Sequence, residues 1–207
     1  ATQSSAEAAR ETVRAVLAVD PASRCEVLDL DGRYQAHGPE QVRTPADAGI
    51  QIGAMPLTHD DETLVTSLTA VWAAQLLDRG DAVLGLAPGV VLQDRPRWTE
   101  DARATVAVAR SIEPSSTDEP DASLLANEMF ILGTDAIPHR PALRRLAADW
   151  RTADRWLDLF VARVPHRIVI DEAAIVSRAN SGPDTLLAIE GGRLVRAGKP
   201  VVALDLA

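Results

Sequence analysis

Asp29 and Asp31 close an apolar run, Cys25-Glu26-Val27-Leu28-Asp29-Leu30-Asp31-Gly32. A carboxylate at a strand end can attack a phosphate ester while a neighbouring carboxylic acid protonates the leaving group. Arg33 follows Gly32, and no later lysine-bearing segment is paired with two acidic residues. The simpler reading is a strand ending in an Asp-Gly turn. His59-Asp60-Asp61 gathers possible metal ligands, with His37, His139 and His166 elsewhere. No two of these histidines share the i, i+4 spacing of a helical metal site. Asp60 and Asp61 already have a role at the positive end of a helix dipole. No nucleophile elbow and no glycine-rich phosphate loop is present.

The elements that must position these residues follow from periodicity and punctuation. Residues 4–18 read as a helix capped by Ser4 or Ser5, with Ala9, Val13, Val16 and Leu17 on one stripe. Asp20-Pro21 ends it, because the residue before Pro is pushed out of the α region. The strand from Cys25 to Leu30 follows, and Gly38 to Thr58 reads as loop. Residues 60–79 form the clearest helix, with Leu64, Leu68, Val71, Trp72 and Leu76 as its stripe and Arg79-Gly80 at its end.

A strand is expected over Ala82 to Leu86, interrupted by Ala87-Pro88-Gly89 and resumed at Val90-Val91-Leu92. Further strands are expected at 105–109, 128–132 and 167–170, and residues 113–122 read as loop. One or two helices surround Trp150 and Trp156 within 140–163, and 186–206 reads as a β-hairpin around Gly191-Gly192. Trp72, Trp150 and Trp156 are expected in the core, and Trp98 lies in a loop. Alternating helices and short apolar strands imply an α/β domain, with a mostly parallel sheet flanked by helices and a C-terminal β-hairpin. Ligands of such sheets sit at the carboxyl ends of the strands. The loops after Leu30, Leu86, Ala109 and Leu132 are therefore where chemistry is expected. With no internal repeat and no long linker, residues 1–207 are expected to form a single domain.

Composition limits the partners. A net charge of -9 makes nucleic acid a poor ligand, since binding it relies on Lys and Arg neutralising phosphates. An anionic membrane surface is disfavoured for the same reason, and no apolar run approaches the length of a membrane span. Cys25 is the single cysteine, which excludes an intrachain disulfide and a thiolate zinc cluster and suits the cytoplasm. Ala1 stands where an initiator Met would, which fits a processed or excised chain.

The order of segments carries a resemblance that single motifs do not. From Val13 to Leu206 the chain resembles a bacterial glycosyltransferase family of GT-A type. The landmarks are the strand ending at Gly32, the segment Arg43-Thr44-Pro45-Ala46-Asp47-Ala48-Gly49-Ile50, and the helix Glu62 to Leu77 closed by Asp78-Arg79-Gly80. Asn127 to Gly133, Arg155-Trp156-Leu157-Asp158-Leu159 and the hairpin from Gly192 to Pro200 follow in the family's order. The tetrapeptide at Asp29 separately resembles the first motif of haloacid-dehalogenase-type phosphatases, where the first Asp is the nucleophile.

The GT-A resemblance implies a nucleotide-sugar site in which two carboxylates of an Asp-X-Asp motif hold a divalent cation against the donor diphosphate. The equivalent positions here are Ala87 and Gly89, and neither side chain can coordinate a metal. A Lys in the preceding helix of relatives aligns with Thr69, and an Asn before Leu-Gly aligns with Ile131. An Asp-Gln pair aligns with Ala153-Asp154, and aromatic and His residues after the hairpin align with Ala203-Leu204-Asp205. The family's opening strand, which carries part of the base pocket, would end near Thr2. Position-equivalent ligand residues are thus Thr2, Asp31, Ala87, Gly89 and Asp154, with no metal and no cofactor. The expected function is a glycosyltransferase-like domain without catalysis, acting as a partner or scaffold in a homo-oligomer or with a companion protein. The alternative is a transferase that holds a nucleotide-sugar by Arg and Lys without metal.

Overall fold

The computed structural model describes residues 3–30, 32–47, 61–80, 82–94, 106–110, 125–148, 156–163, 167–170, 175–177, 187–196 and 198–205. Helix α1 (Gln3–Val19) leads into β1 (Glu26–Leu28), which pairs in parallel with β2 (Gln41–Arg43). β2 falls inside the segment expected to be loop. With Val42 as its sole apolar residue it carries no alternating signal, and its pairing with β1 makes it a strand. Thr44 and Asp47 then close a turn, the Thr44 hydroxyl donating to Asp47 Oδ2 at 2.7 Å and accepting the Asp47 N–H at 3.2 Å.

Helix α2 (Asp61–Leu77) precedes β3 (Val83–Leu86) and β4 (Val90–Leu92). The largest sheet is completed by β5 (Val106–Arg110), β6 (Leu125–Leu132) and β7 (Arg167–Ile170), in the order β3-β6-β5-β7. Here the expectation of a mostly parallel sheet fails. β6 runs antiparallel to both β3 and β5, and only β5 and β7 are parallel. A parallel neighbour needs a crossover, usually a helix. No helix lies between β3 and β6 among the described residues.

Besides the β1–β2 pair there are two three-stranded sheets. β4 pairs antiparallel with β12 (Ala203–Asp205), which pairs in parallel with β8 (Ile175–Ser177). β9 (Leu187–Glu190), β10 (Arg193–Arg196) and β11 (Lys199–Pro200) form an antiparallel meander. Gly191 and Gly192 make the β9–β10 turn, both with positive φ that glycine adopts without steric penalty.

Strand alternation sorts the core onto two faces. Val83, Phe130 and Leu132 face a layer made by α2, a 3₁₀ turn (Thr134–His139), α3 (Arg140–Ala148) and α4 (Trp156–Val161). Leu84, Leu86 and Met129 face the other way, against Val16 and Val19 of α1 and Val90 and Leu92 of β4. Gly85 lies across from Phe130, and the ring occupies the space that a Cβ would need. The same ring makes an edge-to-face contact with Trp156, with centroids 5.2 Å apart.

Trp156 is 1% exposed, as a core residue should be. Trp72 differs from expectation: it is half-buried, and the face of α2 in the main core is made by Ala70, Ala73, Ala74 and Leu77. Small alanines let the helix approach its neighbours closely, which a Trp at the same contact would prevent. Trp98 and Trp150 lie outside the described residues, as does the loop expected over 113–122. Asp78, just past α2, pairs with Arg140 at 2.8 Å and with Arg144, tying α2 to α3.

Candidate functional site

The ends of β1 and β3 meet α1, and the sequence-predicted site positions that the structure describes are found there. β1 stops at Leu28, and the buried Asp29 turns the chain. Its Oδ1 accepts the Gly32 N–H at 3.1 Å and its Oδ2 accepts the Tyr34 N–H at 3.0 Å. Gly32 has φ 73°, so the turn also needs a residue tolerant of the left-handed region. Asp29 therefore uses both oxygens to organise backbone, which is the turn reading of the Asp-Gly pair and leaves it poorly placed as a nucleophile.

Beyond the turn, Tyr34 is buried and its hydroxyl donates to Glu40 Oε1 at 3.2 Å. The Glu40 carboxylate also accepts the His37 N–H at 2.8 Å. Burial pushes the Tyr34 phenol up to about 12, with the Glu40 charge and hydrogen bond adding to the rise. Burial alone would raise Glu40. Hydrogen bonds from the backbone of His37, Glu40 and Gly38 and from Tyr34 outweigh that and hold it below the usual carboxylate range. Arg10 of α1 lies over the Tyr34 ring, 5.9 Å from its centroid. Its Nε is buried without a hydrogen-bond partner among the described residues. Burial, followed by the charges of Glu40 and Asp20, raises the Cys25 thiol, making it a poor nucleophile at neutral pH.

At the end of β3, Ala87-Pro88-Gly89 forms a tight turn in which the Val90 N–H reaches the Ala87 carbonyl at 3.2 Å. Gly89 is buried with φ 100°. The hydroxyl of Thr12 accepts the Gly89 N–H at 3.0 Å. Its proton goes to the Ala8 carbonyl at 3.1 Å rather than to the Ala87 carbonyl at 3.5 Å, the limit of a hydrogen bond. The turn presents a methyl group, a proline ring and bare backbone. Among the described residues no group of three His, Cys, Asp or Glu could hold a metal ion.

Ala87 and Gly89 lie against Thr12 of α1, and Tyr34, beyond the Asp29 turn, lies under Arg10 of the same helix. Thr2, Asp31 and Asp154 lie outside the described residues, as do His59 and Asp60. Thr12, Tyr34, Glu40 and Arg10 were not singled out from sequence. Thr12 carried a usable signal, a lone β-branched hydroxyl within an apolar helical stripe. Glu40 carried none, because its partners come from a loop. Among the described residues no helix is long and apolar enough to cross a membrane.

No protein-family model and no curated protein matches the chain. Solved structures do. A structure of an active-site mutant of LgtC matches with a TM-score of 0.57 at 15% identity, covering 97% of this chain and 82% of that one. The galactosyltransferase LgtC in complex with donor and acceptor sugar analogues matches with a TM-score of 0.50 at 14% identity, covering 84% of this chain and 73% of that one. The likeness extends over most of both chains, and the fold of this chain is that of the GT-A-type glycosyltransferases.

Proposed function

We propose that residues 1–207 form one glycosyltransferase-like domain that does not transfer sugar and serves as a partner or scaffold in the cytoplasm. The observation that carries this reading is the turn after β3. By the order of sequence landmarks, Ala87 and Gly89 occupy the places of the two metal-binding carboxylates. The turn is fixed by Thr12, so its backbone is already committed to packing against α1. A donor diphosphate bound there would meet no cation-holding group, and stabilisation of the leaving charge is the main task of such a site. Selection on a fold without its chemistry points to association, with a second copy or with a companion protein.

A second reading is an active transferase that needs no metal and grips a nucleotide-sugar through guanidinium groups. Arg10 favours it, since its buried Nε beside the end of β1 has no partner among the described residues. Release of UDP from UDP-glucose or UDP-galactose, measured with manganese and again with EDTA, separates the readings. The scaffold reading expects no release in either condition. EDTA-resistant release that Arg10→Ala abolishes would establish the second.

A further inference from the structure

Glu26 opens β1 and is the register partner of Gln41 in β2, so strand alternation places Glu26, Gln41 and Arg43 on one face of the pair. Three guanidinium groups gather there. Arg24 Nη2 lies 2.9 Å from Glu26 Oε1, and Arg79, just past α2, donates from Nη1 to the same oxygen. Arg43 Nε lies 4.0 Å from Glu26 Oε2. Gln41 Oε1 accepts from Arg24 Nη2 at 3.1 Å and from Arg43 Nη2 at 3.3 Å. An uncharged acceptor thus holds two of the cations side by side without neutralising them.

The charges of these side chains do not balance. Three guanidinium groups share one carboxylate, which leaves an excess of two positive charges in a chain whose net charge is -9. The Glu26 side chain is 5% exposed, whereas those of Arg24, Arg43 and Arg79 are 55%, 36% and 38% exposed. The carboxylate forms the floor and the cations face water. At that floor Arg43 Nε and Glu26 Oε2 have no hydrogen-bond partner among the described residues. Like charges held this close repel unless an anion joins them.

We infer that this arginine cluster binds the dianion of a phosphate monoester. Such a group carries a charge of about -1.5 to -2 near neutral pH and offers three acceptor oxygens. That matches both the excess charge and the set of guanidinium groups, whose planar forks pair with phosphate oxygens two at a time. A lone carboxylate would leave one positive charge unanswered. No residue of the cluster belongs to the Asp29 turn or to the turn at Ala87-Pro88-Gly89. The inference therefore stands whether or not the chain transfers sugar.

The test titrates the whole isotope-labelled chain with glycerol 3-phosphate and with a capped Ala-Ala-phosphoserine-Ala-Ala peptide, beside its unphosphorylated form. Affinities are read from NMR shifts of the backbone amides and arginine side chains. Arg24→Gln and Arg79→Gln are each expected to weaken binding of both phosphate ligands about tenfold. Arg24→Lys, which keeps the charge but loses the fork, should weaken it severalfold and serves if a glutamine variant does not fold. Arg14→Gln removes an exposed arginine outside the cluster and should leave affinity unchanged. Equal affinity for the two phosphate ligands supports the inference and assigns the site to free phosphate esters. Tighter binding of the phosphopeptide supports it and assigns the site to a phosphorylated partner. No shift at about 10 mM ligand, or equal binding of the unphosphorylated peptide, overturns it. Binding that the cluster variants retain, or that Arg14→Gln weakens as much, also overturns it and leaves the cluster a structural ion network.

Discussion

The hydroxyl of Thr12 in α1 holds the backbone N–H of Gly89 at 3.0 Å, across 77 positions of sequence. This bond ties the first helix to the turn after β3. Removing the hydroxyl leaves a buried N–H without an acceptor, which costs about 1–3 kcal/mol. Thr12→Val is expected to lower unfolding stability by that amount, and Thr12→Ser by much less. Urea denaturation of the two variants checks it, and equal midpoints for Thr12→Val and the parent would refute the account of this turn.

Gly85 is required by the ring of Phe130. A methyl at position 85 would overlap Cζ and Cε1 of that ring, which also packs edge-to-face on Trp156. Gly85→Ala should therefore destabilise by about 1–3 kcal/mol. Adding Phe130→Leu should recover part of that loss, so the pair is non-additive. Strictly additive losses in a double-mutant cycle would show that the two positions do not compete for space.

How much of this was legible beforehand depended on the kind of signal. α1, α2 and the strand at Val83 were readable because periodicity and Asp-Pro or Arg-Gly punctuation act locally. β2 was not, since Gln41-Val42-Arg43 becomes a strand only by pairing with Glu26-Val27-Leu28. The antiparallel course of β6 was hidden for the same reason: strand direction is a property of the partner. At the site, the absence of carboxylates at 87 and 89 is plain in the sequence. The Tyr34–Glu40 contact is not, because both groups are ordinary until loop closure buries them together.

Tyr34 is the sole tyrosine, so tyrosinate absorbance reports it alone. Its folded pKa, raised from the usual 10.0 to about 12, favours the neutral phenol in the native state. The associated stability is fully present below pH 10.0 and is lost as pH rises toward 12. Glu40→Gln should bring the spectroscopic midpoint down toward 10.0 by removing the adjacent charge. Titration midpoints that coincide in parent and variant would contradict the contact.

Glu40 itself predicts the opposite limb. Its carboxyl is held below the usual 4.5, so its stabilising share is present above that value and fades as pH falls below it. Stability profiles of parent and Glu40→Gln should converge under acid conditions. A gap that persists unchanged at low pH would assign the effect to packing instead of charge.

Asp29→Asn probes the phosphatase-like tetrapeptide. The parent is expected to hydrolyse no generic phosphate ester, because both carboxylate oxygens accept backbone N–H groups. The variant should lose about 1 kcal/mol of stability as one charged acceptor becomes an amide. Turnover in the parent that disappears in the variant would overturn the structural role.

The central claim is that the turn at Ala87-Pro88-Gly89 cannot present a cation to a donor diphosphate. Calorimetric titration of the protein with UDP-glucose, UDP-galactose and GDP-mannose, with and without manganese, measures this directly. The expected result is that manganese changes neither the heat nor the affinity for any of the three. Metal-dependent micromolar binding of one of them would contradict the claim and place the cation-holding groups elsewhere in this chain than positions 87 and 89.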